Sequence, residues 1–171
     1  TLYTFKLSDG TYPSNLVAVG NKLYGTTVVG GKGNGTVFSL TPATSVAPQV
    51  VSVMHAFSGI DGATPSSLTA SGNVLYGTTA FGGSKQSGTV FALKGNVFSS
   101  LYSFAGGADG ETPLGLVAGT NVLYGVTYNG GSNSAGTVFS LPTSGSASDY
   151  VLNNSLASAT QGGYPFALVL F

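Results

Sequence analysis

Three aspartates, each followed by glycine, are the side chains of this chain that could most readily do chemistry. They are Asp9, Asp61 and Asp109, and they recur at one place in a repeated sequence. Carboxylates repeated in this way could bind calcium or the hydroxyl groups of a sugar. They could instead close turns, because an aspartate side chain accepts hydrogen bonds from backbone N–H groups two residues further on. We favour the turn, since a fourth copy carries Gln161 at this place.

His55 is the only histidine and therefore the first candidate for a general base. Its counterparts in the other copies are Tyr3, Tyr102 and Asn154. A position that accepts tyrosine elsewhere is better suited to packing or to a strand edge than to proton transfer. We therefore predict a structural role for His55.

Other catalytic arrangements are weak or missing in the sequence. Asp109 and Glu111 form a close carboxylate pair, but both lie in a single turn, whereas a glycosidase holds two carboxylates about 5 to 10 Å apart across the substrate. The chain has no cysteine and no GxSxG nucleophile elbow. We predict that the chain is not an enzyme and uses no metal and no cofactor.

The elements that position these residues come from a repeat of about 50 residues. Matching prolines lie at Pro13, Pro65, Pro113 and Pro165, with spacings of 52, 48 and 52 residues. We assign unit 1 to residues 9–57, unit 2 to 61–104, unit 3 to 109–156 and partial unit 4 to 161–171. All four belong to one repeat domain that spans residues 1–171.

Unit 2 shows the strand pattern most clearly. We predict strands at 66–70, 73–80, 88–93 and 97–104, which are rich in β-branched and aromatic residues and are separated by glycine-containing turns. No helix is expected, because no apolar stripe recurs at helical spacing. Four short strands cannot bury both faces of their sheet alone, so similar sheets must stack face to face.

Radial stacking predicts an all-β, β-propeller-like array of four-stranded antiparallel blades, with three full blades plus terminal strands. The terminal strands are 1–5, which matches a fourth strand, and 166–171, which matches a first strand. A β-trefoil, a β-prism and a β-solenoid are the alternatives. Three blades are fewer than the roughly four that a ring needs, so we expect the chain to belong to a longer array or to be completed by other copies.

The propeller-like arrangement predicts which residues form the core and which form a binding surface. Tyr24, Tyr76 and Tyr124, each followed by glycine, are predicted to pack between blades, with the glycine letting the neighbouring sheet approach closely. Loops after the second and fourth strands emerge on one face of a propeller, and here they vary most between copies. We predict a binding surface there, formed by Asp9, Asp61, Asp109, Glu111, Lys32, Lys85, Asn129 and Asn133.

The amino-acid composition limits the classes of partner that the chain is expected to bind. Only 6% of the residues are charged, with five lysines against five acidic residues, and 42% are apolar. The scarcity of cations argues against binding to nucleic acid or to an anionic membrane surface. No apolar run reaches the length that spans a bilayer, and the polar balance rests on Ser, Thr, Asn and Gly, as suits a secreted β protein.

The recurring signature is similar to that of a known family. It appears as YGTTVVGGKGNGTVF, YGTTAFGGSKQSGTVF and YGVTYNGGSNSAGTVF. Over nearly its whole length the chain resembles the Gloeo-Verruco (GloVer) tandem-repeat family of bacterial extracellular proteins. The resemblance implies an extracellular or cell-surface location and brings no catalytic residues with it.

We therefore expect a non-enzymatic extracellular repeat domain for adhesion, glycan binding or surface scaffolding, with glycans or cell-surface polymers as partners. The main alternative is a self-assembling structural subunit, a ring or filament in which copies join through open strand edges. A carbohydrate-active enzyme that uses Asp61, Asp109 or Glu111 is the least favoured alternative.

Overall fold

The fold is all-β and consists of three four-stranded antiparallel sheets. The computed structural model describes residues 3–43, 49–145, 147–157 and 164–167. Each repeat unit forms one sheet, and strands that are consecutive in the chain are neighbours in the sheet. The predicted class and the four-stranded unit are confirmed.

The strand bounds follow the repeat. Unit 1 holds β1 (Thr11–Val19), β2 (Lys22–Val29), β3 (Thr36–Thr41) and β4 (Val50–Ala56). Unit 2 holds β5 (Ala63–Ser71), β6 (Val74–Phe81), β7 (Thr89–Lys94) and β8 (Val97–Ser103). Unit 3 holds β9 (Glu111–Ala118), β10 (Val122–Asn129), β11 (Thr137–Pro142) and β12 (Val151–Ser155). The first strand of unit 2 begins earlier than predicted, because Ala63 already pairs with Phe81 of the second strand.

Helical structure in the described residues is limited to two single turns of 3₁₀ helix, Gly107–Asp109 and Ala147–Asp149. The expectation of no helix was wrong at these two places. The first turn accommodates one residue more than the corresponding connection of unit 1. The second lies in the connection from β11 to β12, which is longer than its counterpart in unit 2. No helix in the described part of the chain is long and apolar enough to cross a membrane.

The apolar cores lie between successive sheets. One core joins Val37 and Phe57 of unit 1 to Leu68, Leu75, Phe91 and Leu93 of unit 2. The other joins Tyr76, Val90, Leu101 and Phe104 of unit 2 to Leu116, Leu123, Phe139 and Leu141 of unit 3. We call the side of a sheet that meets the preceding unit its leading face and the opposite side its trailing face. Unit 2 buries both faces, one against each neighbour, which removes large apolar areas from water.

An aromatic contact repeats at the unit junctions. The ring centroids of Phe57 and Phe91 are 5.3 Å apart, and those of Phe104 and Phe139 are 5.2 Å apart. Both pairs are edge-to-face, the geometry that the ring quadrupoles favour. The phenylalanine that follows the fourth strand of one unit therefore rests on a phenylalanine in the third strand of the next.

The glycine after each repeated tyrosine makes room for this third-strand phenylalanine. Gly77 lies opposite Phe91 in the same sheet, and a Cβ added to Gly77 would lie 2.4 Å from Phe91 Cζ. The prediction that this glycine admits the neighbouring sheet was therefore wrong, whereas Tyr76 is buried between sheets as expected. The same pairing joins Gly25 to Phe38 and Gly125 to Phe139.

The predicted terminal strands are not formed by the residues that the structure describes. Residues 3–6 and 166–167 carry no strand, and the remainder of both predicted strands lies outside the described residues. A fourth strand needs the third strand of its own sheet as a partner, and the described chain places none beside residues 3–6. Phe5 nevertheless contacts Phe38, with ring centroids 4.9 Å apart, as Phe57 contacts Phe91 one junction later.

Partial unit 4 begins in the same relation to unit 3 as earlier units do to theirs. The Tyr164 N–H donates to the Ala135 carbonyl at 2.9 Å. Its φ of 58° matches the equivalent residues, with 54° at Thr64 and 56° at Thr112. The backbone N–H groups of Thr64 and Thr112 donate in the same way to Asn34 and Ser87.

Candidate functional site

The variable loops and the Asp-Gly turns meet at one end of the sheets, which we call the loop end. It comprises the loops at 30–35, 82–88 and 130–136 and the turns at Asp9, Asp61 and Asp109. Loop and turn touch through glycines. A Cβ at Gly30 would lie 2.2 Å from Gly10 Cα, and a Cβ at Gly130 would lie 2.5 Å from Gly110 Cα. Both sets of connections therefore share one end of their sheet, as the strand order requires.

Each aspartate of the loop end is held by a side chain that precedes it. Tyr3 Oη donates to Asp9 Oδ2, and Tyr102 Oη donates to Asp109 Oδ1 at 2.7 Å. Between them in the chain, His55 Nε2 lies 2.9 Å from Asp61 Oδ2. We call these three pairs the junction clamps, because each fixes the turn that leads into a new unit.

The carboxylates also accept hydrogen bonds from the backbone before them. Asp61 Oδ1 accepts from the backbone N–H and the Oγ of Ser58, at 2.8 and 2.9 Å. Asp109 Oδ2 accepts from the N–H of Ala105 at 2.6 Å. The expected turn-closing bonds are present, but their direction was predicted wrongly. The donors lie three or four residues before the aspartate, because the glycine after it turns the backbone away, with φ of 132° at Gly62.

The His55–Asp61 clamp has its own electrostatics. Burial raises the pKa of Asp61, but the hydrogen bonds from Ser58 and the nearby imidazole outweigh it and bring the pKa below the ordinary 3.8. Burial lowers the pKa of His55 below 6.5 against the opposing attraction of Asp61. The imidazole also stacks on Phe98, with ring centroids 3.9 Å apart. At neutral pH the clamp is a neutral imidazole beside a carboxylate.

A buried threonine pair lies beneath each Asp-Gly turn. Thr79 Oγ1 and Thr89 Oγ1 are 2.8 Å apart and fully buried, and Thr79 Oγ1 accepts from the Thr89 backbone N–H at 3.2 Å. A Cβ on Gly62 would lie 2.7 Å from Thr79 Oγ1, so only glycine fits above the pair. Equivalent pairs join Thr27 to Thr36 and Thr127 to Thr137, each at 2.8 Å.

The structure distributes the predicted binding residues over all three units. Lys32, Lys85 and Asn133 are exposed at the tips of successive loops. Asn129 and Glu111 lie opposite one another where β10 and β9 pair. Asp9, Asp61 and Asp109 lie inside the junction clamps. Each unit therefore contributes one exposed tip and one clamped carboxylate.

The carboxylates of the loop end are occupied by internal hydrogen bonds. Both carboxylate oxygens of Asp61 and of Asp109 already accept internal hydrogen bonds. Among the described residues there is no group of three or more His, Cys, Asp or Glu that could hold a metal ion. The exposed ammonium, amide and hydroxyl groups of the tips remain available to a polar ligand.

Sequence reasoning missed the partners of the aspartates. His55 was predicted to pack, and it does stack on Phe98, but its bond to Asp61 was not foreseen. The signal lay at the fourth junction, where Asn154 of unit 3 and Gln161 of partial unit 4 replace both members of the clamp together. Gln161 itself lies outside the described residues.

An exposed aromatic cluster at partial unit 4 was also missed. The ring centroid of Tyr128 lies 4.9 Å from that of Tyr164 and 5.2 Å from that of Phe166. Tyr164 is 48% exposed and Phe166 is 67% exposed. Its only sequence signal is that aromatic residues stand where the complete units mostly carry smaller ones.

Comparison with known proteins identifies one family. The sequence model described as the Gloeobacter/Verrucomicrobia repeat matches residues 1–170, which include all three complete units. No curated protein matches the chain.

Proposed function

Because the chain belongs to the Gloeobacter/Verrucomicrobia repeat family, as its signature predicted, we propose that it is a non-enzymatic extracellular repeat domain. In this proposal its loop end binds glycans or other cell-surface polymers and so serves adhesion or surface scaffolding. The units are the blades of a propeller-like array, and the loop end is one rim of that array.

Contacts between first strands support the propeller-like arrangement. β1 contacts β5, and β5 contacts β9. Ser66 Oγ of β5 donates to the Pro113 carbonyl of β9 at 2.6 Å. First strands that touch from sheet to sheet lie nearest the axis of a propeller, with the fourth strands outermost.

The observation that carries the binding proposal is a constant framework beneath variable tips. The clamp, the threonine pair and the glycine contacts repeat in each of the three complete units, whereas the exposed tips carry Lys32 in unit 1, Lys85 in unit 2 and Asn133 in unit 3. Binding residues are typically found on loops that a rigid scaffold positions. Amide, ammonium and hydroxyl groups suit sugar hydroxyls, and few charges are present to attract a polyanion.

A non-enzymatic role is supported by the state of the carboxylates. A glycosidase needs one carboxylic acid and one carboxylate free to face the substrate. Here Asp61 and Asp109 each bond one oxygen to the turn backbone and the other to a side chain of the preceding strand.

Binding of the whole chain to an array of bacterial and host glycans tests the proposal. The double change Lys85→Ser and Gln86→Ser removes the ammonium group and the side-chain amide from the exposed tip of unit 2. Lys94→Ser is the matched control, because Lys94 is also exposed but ends β7 at the opposite end of the same sheet.

We expect the tip variant to lose about tenfold or more in affinity, or ~1.4 kcal/mol, while the control binds as the native chain does. Equal binding by all three proteins would remove the loop end as the binding surface. Absence of binding to any glycan or cell-surface polymer would overturn the proposed function.

A further inference from the structure

The described residues leave two apolar surfaces exposed, one at each end of the stack of sheets, and we infer that these surfaces bind each other between two copies of this chain. The head surface is the inner part of the leading face of unit 1, formed by Pro13, Leu16 and Leu23. The tail surface is formed by Tyr164 and Phe166 of partial unit 4. This inference does not depend on glycan binding.

The head surface carries residues that are buried in the other units. Leu16 is 60% exposed, whereas Leu68 and Leu116 at the same place are 7% and 5% exposed. Pro13 is likewise exposed, although the equivalent prolines of units 2 and 3 are buried. The sequence thus puts core-type residues at positions that the described part of the chain leaves exposed.

In units 2 and 3, the surface equivalent to the head surface is covered by the first two strands of the preceding sheet. β5 packs against β1 and β2, and β9 packs against β5 and β6. In front of unit 1, the described chain supplies Tyr3 and Phe5, which stand in for the end of a fourth strand. A cleft of ≈ 380 Å³ remains, and its lining includes Leu16 and Leu23. The uncovered part is therefore the part that a first strand would cover.

The tail surface presents such a segment. Phe166 follows Pro165 as Ser66 follows Pro65. In unit 2 this residue faces the following unit, since Ser66 Oγ donates to the Pro113 carbonyl at 2.6 Å. Phe166 has no following unit in the described chain and is 67% exposed. Its equivalent partner would be the proline that opens the next unit.

The Pro13 of a second copy supplies that proline. Phe166 of one copy against Pro13 and Leu16 of another repeats the Ser66–Pro113 contact, with an apolar contact in place of a hydrogen bond. The named residues of both surfaces are uncharged, so no ion is desolvated when they meet. The contact continues the stacking of leading face on preceding unit that already occurs twice within the chain.

The geometry of the assembly follows from the two surfaces being different. A head that binds a tail leaves one of each free on every pair, so copies add in one direction and form a ring or an open filament. The contact is between the face of one sheet and the segment packed on another, and not between strand edges as the sequence suggested.

Sedimentation velocity on the whole chain, from micromolar to millimolar concentration, tests the inference. Leu16→Glu blocks the head, and Phe166→Glu blocks the tail. Val97→Ser is the control, because Val97 is 70% exposed and lies on neither surface. Circular dichroism checks that each variant remains folded, and Leu16→Ser and Phe166→Ser replace any variant that does not.

We expect the mass of the native chain and of Val97→Ser to rise with concentration, and each blocked variant to stay monomeric. An equimolar mixture of the two blocked variants should form a one-to-one pair, because the intact tail of one meets the intact head of the other. A native chain that stays monomeric throughout would overturn the inference. Self-association of Phe166→Glu alone would also overturn it, because it would show head-to-head pairing or strand-edge pairing.

Discussion

His55 shows how a single residue serves the fold while looking like a catalyst. It occupies the place that tyrosine takes at the two neighbouring junctions, and in all three cases the side chain bonds an aspartate. The turn needs only a donor at this place, and imidazole and phenol both provide one. Of the two, only imidazole titrates near neutral pH, so one of the three clamps responds to mild acid.

The change His55→Tyr should remove one part of the acid sensitivity of the chain. Burial lowers the pKa of His55 below 6.5, so the unfolded chain binds a proton more readily than the folded chain does. The stability that depends on the neutral ring is fully present above pH 6.5 and is lost as pH falls from there through the lower folded pKa.

Urea unfolding from about pH 5 to pH 8 measures this loss. The native chain should lose free energy of unfolding across the lower part of this range, and His55→Tyr should lose less. The lowered pKa of Asp61 adds a second loss as pH falls below 3.8, which both proteins share if tyrosine bonds the carboxylate as it does in units 1 and 3. An identical pH profile above pH 5 in the two proteins would contradict the assignment.

Asp61→Asn should destabilise the fold while leaving its architecture intact. The carboxylate accepts bonds from His55 and twice from Ser58, and an amide at the same place cannot accept all three equally well. We expect the free energy of unfolding to fall by about 1–3 kcal/mol. Asp149→Asn, an exposed aspartate outside the repeat pattern, should change it by less than about 0.5 kcal/mol. Equal effects of the two substitutions would show that the clamp adds nothing.

At the scale of strands and turns, the positions of the strands could be predicted from the sequence better than the contacts between side chains. The strands of unit 2 could be predicted because β-branched and aromatic residues alternate with small ones between glycine turns. The 3₁₀ turn at Gly107–Asp109 could not, since it depends on one residue more than the equivalent connection of unit 1. The junction clamps could not be predicted for a related reason. Each joins a strand residue to an aspartate in a turn, and the glycine after that aspartate sets the direction of the turn.

The role of Gly77 depends on strand register, which the sequence does not state. Gly77→Ala should lower the free energy of unfolding by about 1–3 kcal/mol, because the new methyl group would clash with the Phe91 ring across the strand pair. Gly72→Asn is the control. The structure leaves open space beside Gly72, whose φ is 56°, and asparagine tolerates that conformation. Denaturant unfolding should separate the two variants, and equal losses would contradict the assigned register.

At the scale of the whole molecule, stability comes from neighbouring units covering each other. Each core is shared between two sheets, so the chain resembles other repeat proteins in which the interface between repeats stabilises both. The period of about 50 residues was enough to predict stacked four-stranded sheets. The period could not predict which residues of unit 1 and partial unit 4 are exposed. Equivalent positions of the repeat are buried only where a neighbouring unit packs on them.

A double-mutant cycle across the first junction measures this shared core directly. Phe57 belongs to unit 1 and Phe91 to unit 2, and their rings touch edge to face at 5.3 Å. Phe57→Leu and Phe91→Leu, made singly and together, should show a coupling of about 0.5–1.5 kcal/mol in the free energy of unfolding. The control cycle of Phe57→Leu with Phe139→Leu, which lie at different junctions, should be additive. If the first cycle were also additive, the two sheets would not be packed on each other, and face-to-face stacking of successive units would be contradicted.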